Sequence, residues 1–179
     1  LEPSLRERLK TPDRRIAAAP KQFIDDLDRL AASLRAEPGA RDELVLISRR
    51  QPRSNNSWMH NYPRLMKGAD RCCLQIHPDD ARQRVLTDGA LARVRSRAGE
   101  VVVPVEITDA MMPGVVCLPH GFGHDRDGVR LRVAEKHPGA SVNDLTDELR
   151  VDLLSGNAAL SGVPVTVESE QPQPRAQLA

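Results

Sequence analysis

The sequence predicts a mainly β fold, a closed β-barrel decorated with short helices. Three observations carry that prediction. Short apolar or alternating runs recur along the chain, the clearest between Ala90 and Thr108 and between Leu160 and Glu168. Helical periodicity is confined to one amphipathic stretch near the start and one brief segment after His77. The connections are polar and carry Pro, Gly, Asn and Asp. Long helices do not alternate with strands, so a doubly wound parallel sheet is not expected.

The 179 residues suffice for one ordinary domain with attached segments. With 40% hydrophobic and 28% charged residues the chain is globular, and with 2% aromatics its core must be built from Val, Leu, Ile and Ala. A net charge of +1 leaves no broad basic excess for a nucleic-acid backbone, and the scarce aromatics remove the stacking platforms of single-strand binders. No apolar run approaches the length of a membrane span, so no membrane partner is expected. Three cysteines, two of them the adjacent Cys72 and Cys73, form no disulfide framework; together with the absence of a signal peptide they point to a reduced, cytoplasmic setting. The chain begins without Met, as a fragment of a longer polypeptide would.

Taken in order, residues 1–40 read as a connector followed by a lead-in helix. Phe23, Ile24, Leu27, Leu30, Ala31 and Leu34 form its apolar stripe, Pro20 suits its start and Pro38-Gly39 its stop. Leu44 to Ser48 is a short buried strand, and residues 41–168 make the barrel. A long loop, S-R-R-Q-P-R-S-N-N-S-W-M-H-N from Ser48 to Asn61, continues to about Arg71, with Pro63 opening one helical turn. Cys72 to Ile76 is the next strand, and His77-Pro78-Asp79-Asp80-Ala81 starts a helix expected to reach Val85-Leu86. Ala90 to Arg97 and Val101 to Thr108 form a hairpin around Ala98-Gly99, with Arg93, Arg95 and Arg97 on its solvated face. Val115 to Leu118 is a strand that runs into Pro119-His120-Gly121-Phe122-Gly123-His124. Alternation suggests a further strand over Val129 to Ala134, Ser141 to Thr146 reads as an ordered turn, and Leu160 to Glu168 is the last strand. Residues 169–179 read as a flexible tail.

The chemistry concentrates in the two polar loops. Cys117, His120 and His124 have zinc-compatible types and spacing but lack a fourth ligand, and Cys117 reads as a small buried strand residue. No nucleophile elbow and no Gly-Ser dipeptide occur, and no helix follows Gly121-Phe122-Gly123, so neither a self-sufficient active site nor a phosphate fingerprint is expected. Holding a dinucleotide or pterin fits better. Arg49, Arg50 and Arg53 offer forked donors to phosphates, Ser54, Asn55, Asn56 and Asn61 match a heterocycle edge, and Gly121 and Gly123 permit close backbone approach. The plainer reading is a polar surface loop anchored by a buried Trp58.

These blocks occur in a specific order: the Ser48–Asn61 loop, C-L-Q-I-H-P-D-D-A, T-D-G-A-L-A-R-V-R-S-R-A-G-E-V, V-E-I-T-D-A-M-M-P-G-V-V-C-L-P-H-G-F-G-H and V-N-D-L-T. In that order the chain resembles, over about Leu44 to Val167, the C-terminal dinucleotide-binding domain of the molybdopterin oxidoreductases, which include formate dehydrogenases, nitrate reductases and dimethyl sulfoxide reductase.

The resemblance implies a double-psi β-barrel that caps a molybdopterin guanine dinucleotide carrying Mo or W. It implies Arg49, Arg50, Ser54, Asn55, Asn56 and His60 in the first loop, His120 and Gly121 in the second, and Asn143 in the last block as cofactor contacts. The family's iron–sulfur cysteines and molybdenum ligand lie in earlier domains, so this chain by itself is expected to be inactive. Its expected partners are the remaining domains of a parent oxidoreductase and a small-molecule substrate. The S-N-N-S-W-M-H-N loop departs from those of the best-known formate and nitrate enzymes, which leaves the substrate open. The competing expectation is a stand-alone double-psi barrel acting as a protein-interaction or substrate-recognition module.

Overall fold

Along most of the barrel strands the buried side chains alternate and are Val, Leu, Ile or Ala, whereas Val116 to Pro119 are buried in succession. The computed structural model describes residues 4–35 and 42–170. The barrel strands are β1 (Leu44–Arg49), β2 (Leu74–Ile76), β3 (Leu91–Arg95), β4 (Glu100–Ile107), β5 (Val115–Pro119) and β6 (Val163–Ser169). They close in the order β1-β5-β2-β4-β3-β6. β1 runs parallel to β5 (Ile47 opposite Cys117) and β2 parallel to β4, while the other neighbours are antiparallel. Two parallel pairs within one closed six-stranded barrel give the double-psi arrangement. Closure leaves no free sheet edge. Leu46, Leu74, Ile76, Val94, Val116 and Leu118 are at most 1% exposed, and burial of each such side chain contributes about 1.5–3 kcal/mol.

The connections explain how the strands are held in place. In the β3–β4 hairpin Ser96 Oγ accepts from the backbone N–H groups of Ala98 and Gly99, at 3.0 and 3.2 Å. Arg93 and Arg95 on the outer face pair with Glu100, and Arg97 pairs with Asp147 and Glu148. The helix after His77 (Pro78–Gln83) is capped by the His77 ring, whose Nδ1 accepts from Asp79 N at 3.1 Å. It stops short of Val85-Leu86. Val85 takes φ 54°, and the bonds Leu86 N to Ala81 O (2.9 Å) and Val85 N to Arg82 O (3.2 Å) close a Schellman turn. Asp80 lies within this short helix rather than only decorating its start: it is buried, and its Oδ2 accepts from Gly114 N at 2.7 Å, tying the helix to the turn before β5.

Val129 to Ala134 is not a strand. The segment has no strand partner and ends in a 3-10 turn over Ala134–Lys136, where the Asn61 side chain accepts from the amides of Val133 and Ala134. Alternation is too weak a signal when only one of its residues, Ala134, is buried. A second 3-10 turn, Val142–Leu145, is the expected ordered turn.

The chain divides into two compact units, residues 1–38 with 153–155 and residues 39–152 with 156–179. The first unit holds a single turn (Leu5–Arg8) and the lead-in helix, divided into Lys21–Asp25 and Leu27–Arg35. The expected stop at Pro38-Gly39 and the tail beyond residue 170 lie outside the described residues. Among the described residues no helix is long and apolar enough to cross a membrane.

Candidate functional site

Because β1 and β5 are parallel neighbours, the loops that follow them leave the same rim of the barrel. The His120 amide donates to Arg49 O at 2.9 Å and continues the pairing one step beyond the strands. Arg49 itself is half-buried. Its guanidinium donates to the carbonyls of Cys117 (3.2 Å) and Cys73 (3.4 Å), so it fastens β1 to its neighbours.

Beyond Arg49 the chain folds into a series of tight turns. Buried Ser54 gives both its amide and its hydroxyl to Gln51 O, at 3.0 and 2.9 Å. Asn55 and Asn56 follow with φ 43° and 62°, a left-handed pair that asparagine tolerates better than most residues. The Asn56 backbone lies directly on Gly121, where a Cβ would come within 2.3 Å of its carbonyl oxygen. Gly123 is likewise covered, by Ser141. Both glycines therefore admit protein backbone rather than open space. Arg50 bonds the Asn56 side-chain oxygen, and Arg50, Gln51, Pro52, Asn55 and Asn56 outline a surface hollow of about 210 Å³ with no acidic residue.

His60 sits beneath this lip, 1% exposed. Its Nδ1 is 2.6 Å from Nε2 of buried His124, and its ring is 4.4 Å from that of Phe122. Burial, reinforced by the neighbouring His124, pushes the His60 pKa down to about 4, with the Gly121 carbonyl opposing the shift. Burial lowers that of His124 as well. Both rings are thus neutral near pH 7, and one donates to the other. A cavity of about 230 Å³ adjoins His60, with Gln51, Ser54, Cys72 and Phe122 also in its wall.

Trp58 is no buried anchor: it is 79% exposed. His60, two residues later, takes that place. The structure brings Arg50, Asn55, Asn56 and Gly121 together and sets His60 under them. Asn143 is exposed on the second 3-10 turn, where its carbonyl accepts from Thr146, and it lines neither hollow. Sequence reasoning missed the parts played by His124 and Phe122, whose signal was a buried-type aromatic and a histidine interleaved with glycines. Among the described residues no three His, Cys, Asp or Glu side chains gather as a metal site needs, and His124 pairs with His60 rather than with Cys117 and His120.

A family model described as "Molydopterin dinucleotide binding domain" matches residues 44–164, the barrel with both loops. The chain belongs to this dinucleotide-binding domain family. Among curated relatives, the family member is 34% identical over 93 residues to a dimethyl sulfoxide reductase of Escherichia coli (strain K12), covering 52% of this chain and 11% of that protein. It is 28% identical over 123 residues to one of the chains of the tetrathionate reductase of Salmonella typhimurium, covering 59% and 12% respectively. The chain thus spans about an eighth or less of the length of these two relatives. Among solved structures, acetylene hydratase from Pelobacter acetylenicus superposes with a TM-score of 0.58 at 18% identity, over 82% of this chain and 20% of that one, which shows the shared fold.

The residues at the rim fit the group that the family name implies. A molybdopterin dinucleotide presents a diphosphate and fused heterocycles, which call for cationic forks and paired donors and acceptors. The hollow outlined by Arg50, Asn55 and Asn56 supplies both, without a carboxylate to repel phosphate.

Proposed function

We propose that this chain is the C-terminal cofactor-holding domain of a molybdenum or tungsten oxidoreductase. The observation that carries the reading is the acid-free, donor-rich lip of Arg50, Asn55 and Asn56, built at the rim of a barrel of the dinucleotide-binding family. Arg50 and Arg53 would meet the diphosphate, and the Asn55 and Asn56 amides the heterocycle edge. Ser54 shapes the turn beneath them, and Arg49 and His120 fix the strand ends from which the loops spring. Asn143 would reach the cofactor only from the neighbouring turn. When bound, the group supplies redox chemistry at its metal; this chain's share is to bind, orient and screen negative charge.

The two reductase relatives support an oxidoreductase as the parent activity, and the small share of their length that the chain spans supports a role as one domain of a larger enzyme. On this reading the remaining domains complete the cofactor site and carry an iron–sulfur cluster, a small molecule is the substrate, and the enzyme works in the cytoplasm. The test is to release small molecules from the purified intact protein by acid and assay them for guanine nucleotide, oxidised pterin, molybdenum and tungsten. Guanine nucleotide and pterin in equal amounts with one of the metals is the expected result. A protein carrying neither pterin nor metal overturns the reading.

A further inference from the structure

Within the lip, residues 55–61 contain one buried side chain, that of His60. Trp58 and Ser57 on the same turns face outward. At its end this part of the loop is tied to the Val133–Ala134 turn by the Asn61 side chain. Its link to the other functional loop through a buried side chain is one imidazole, gripped there by Phe122 against its ring and His124 at its Nδ1. The opposite nitrogen, His60 Nε2, is buried with no hydrogen-bond partner among the described residues. An apolar side chain would fill the same space without that desolvation cost. What an apolar side chain lacks is a directional bond to His124. Such a bond fixes how the ring lies, and with it the course of the backbone from Asn56 to Asn61.

We infer that His60 and His124 are positioning residues whose hydrogen bond clasps the β1–β2 loop to the β5 loop and so holds the Asn55–Asn56 lip in its binding conformation. The inference rests on the proposed cofactor role of that lip. The clasp joins residues 64 apart in sequence and adds a side-chain link to the backbone contact of Asn56 with Gly121. Neither ring needs to touch the cofactor.

The test uses the intact protein, with backbone amide exchange in cofactor-free samples and guanine nucleotide retention after gel filtration in loaded ones. Amides of Ser54, Trp58, Met59 and His60 are bonded within the loop and report its opening. His124→Leu is expected to speed their exchange about tenfold, the scale of one buried hydrogen bond, while the amides of β2 and β4 keep their protection. Nucleotide loss should quicken alongside. An asparagine amide reaches about as far as Nδ1 and a glutamine amide about as far as Nε2, so His60→Asn and His124→Gln should restore both readouts, whereas His60→Gln and His124→Asn should not. Unchanged loop exchange in His124→Leu, or equal behaviour of matched and mismatched amides, overturns the clasp. If His124→Leu does not fold, the comparison of His124→Gln with His124→Asn decides by the same criterion. A loop that opens without faster nucleotide loss overturns the positioning role. A wild-type protein holding no nucleotide sinks the cofactor reading instead, and leaves the exchange result to judge the clasp.

Discussion

The Asn56 carbonyl oxygen occupies the space in which any residue but glycine at 121 would place its Cβ, 2.3 Å away. Gly121 also has φ 97°, outside the range of ordinary side chains. Gly121→Ala should therefore part the two loops and cost at least about 2 kcal/mol, combining backbone strain with overpacking. Urea denaturation measures the loss; a midpoint equal to wild type would show that the loops separate freely.

Val85 is the opposite case. It occupies the left-handed position of a Schellman turn with its side chain 83% exposed, so it gives up little packing there. Val85→Gly should stabilise the protein by about 1 kcal/mol, the usual cost of a left-handed non-glycine residue. The check is a rise in melting temperature.

Asp80 connects the helix Pro78–Gln83 to the Gly114 turn, whose carbonyl in turn accepts from Val45 N at 2.9 Å. Asp80→Ala leaves a half-buried amide without its charged acceptor and should destabilise the fold by about 1.5–3 kcal/mol. Asp79→Ala, at an exposed position, serves as the control and should cost less. Paired denaturation curves distinguish them.

Acid should weaken the protein through His60. Its folded pKa, about 4, lies below the ordinary 6.5, so the unfolded chain takes up the proton first as pH falls. The His60 contribution is complete above 6.5 and is lost between 6.5 and about 4, at up to about 1.4 kcal/mol per pH unit. His124, lowered by burial, acts in the same direction. Stability measured from pH 7 to 4 should fall less steeply in His60→Asn than in wild type.

Arg50 is exposed and its side chain bonds that of Asn56, so Arg50→Ala should leave the melting temperature of the cofactor-free protein nearly unchanged. Cofactor retention should suffer, seen as a lower molybdenum or tungsten and guanine content in the purified parent enzyme. Asn55→Ala should lower retention too, with some added backbone strain because Asn55 has φ 43°.

How much of this was legible in the sequence follows from the range of the forces involved. The β3–β4 hairpin and β6 were legible because Ala92, Val94, Val163, Val165 and Val167 face inward at a period of two, a local signal. The two functional loops were legible as places, since a strand ending in arginines and asparagines is conspicuous. Their internal arrangement was not. The partners of His60 lie 62 and 64 residues away, and only barrel closure brings them together. Trp58 misled because burial is a reasonable default for the chain's one tryptophan, whereas the turn geometry around Asn55 and Asn56 points it outward. Arg49 was read by its charge alone, and the carbonyls that claim it, Cys73 just before β2 and Cys117 in β5, lie 24 and 68 residues further along the chain.

The pairing of Val45 with Val115 has a consequence for biogenesis. The rim cannot exist while the chain is still emerging, because β1 waits for β5 some 70 residues later and the seam closes only when β6 pairs with both β1 and β3. Contacts of such long sequence separation form late and slowly. Whatever the rim is built to hold must be loaded after translation of Ser169, into a finished barrel, so closure of the barrel and delivery of the ligand are successive events with separate opportunities for control.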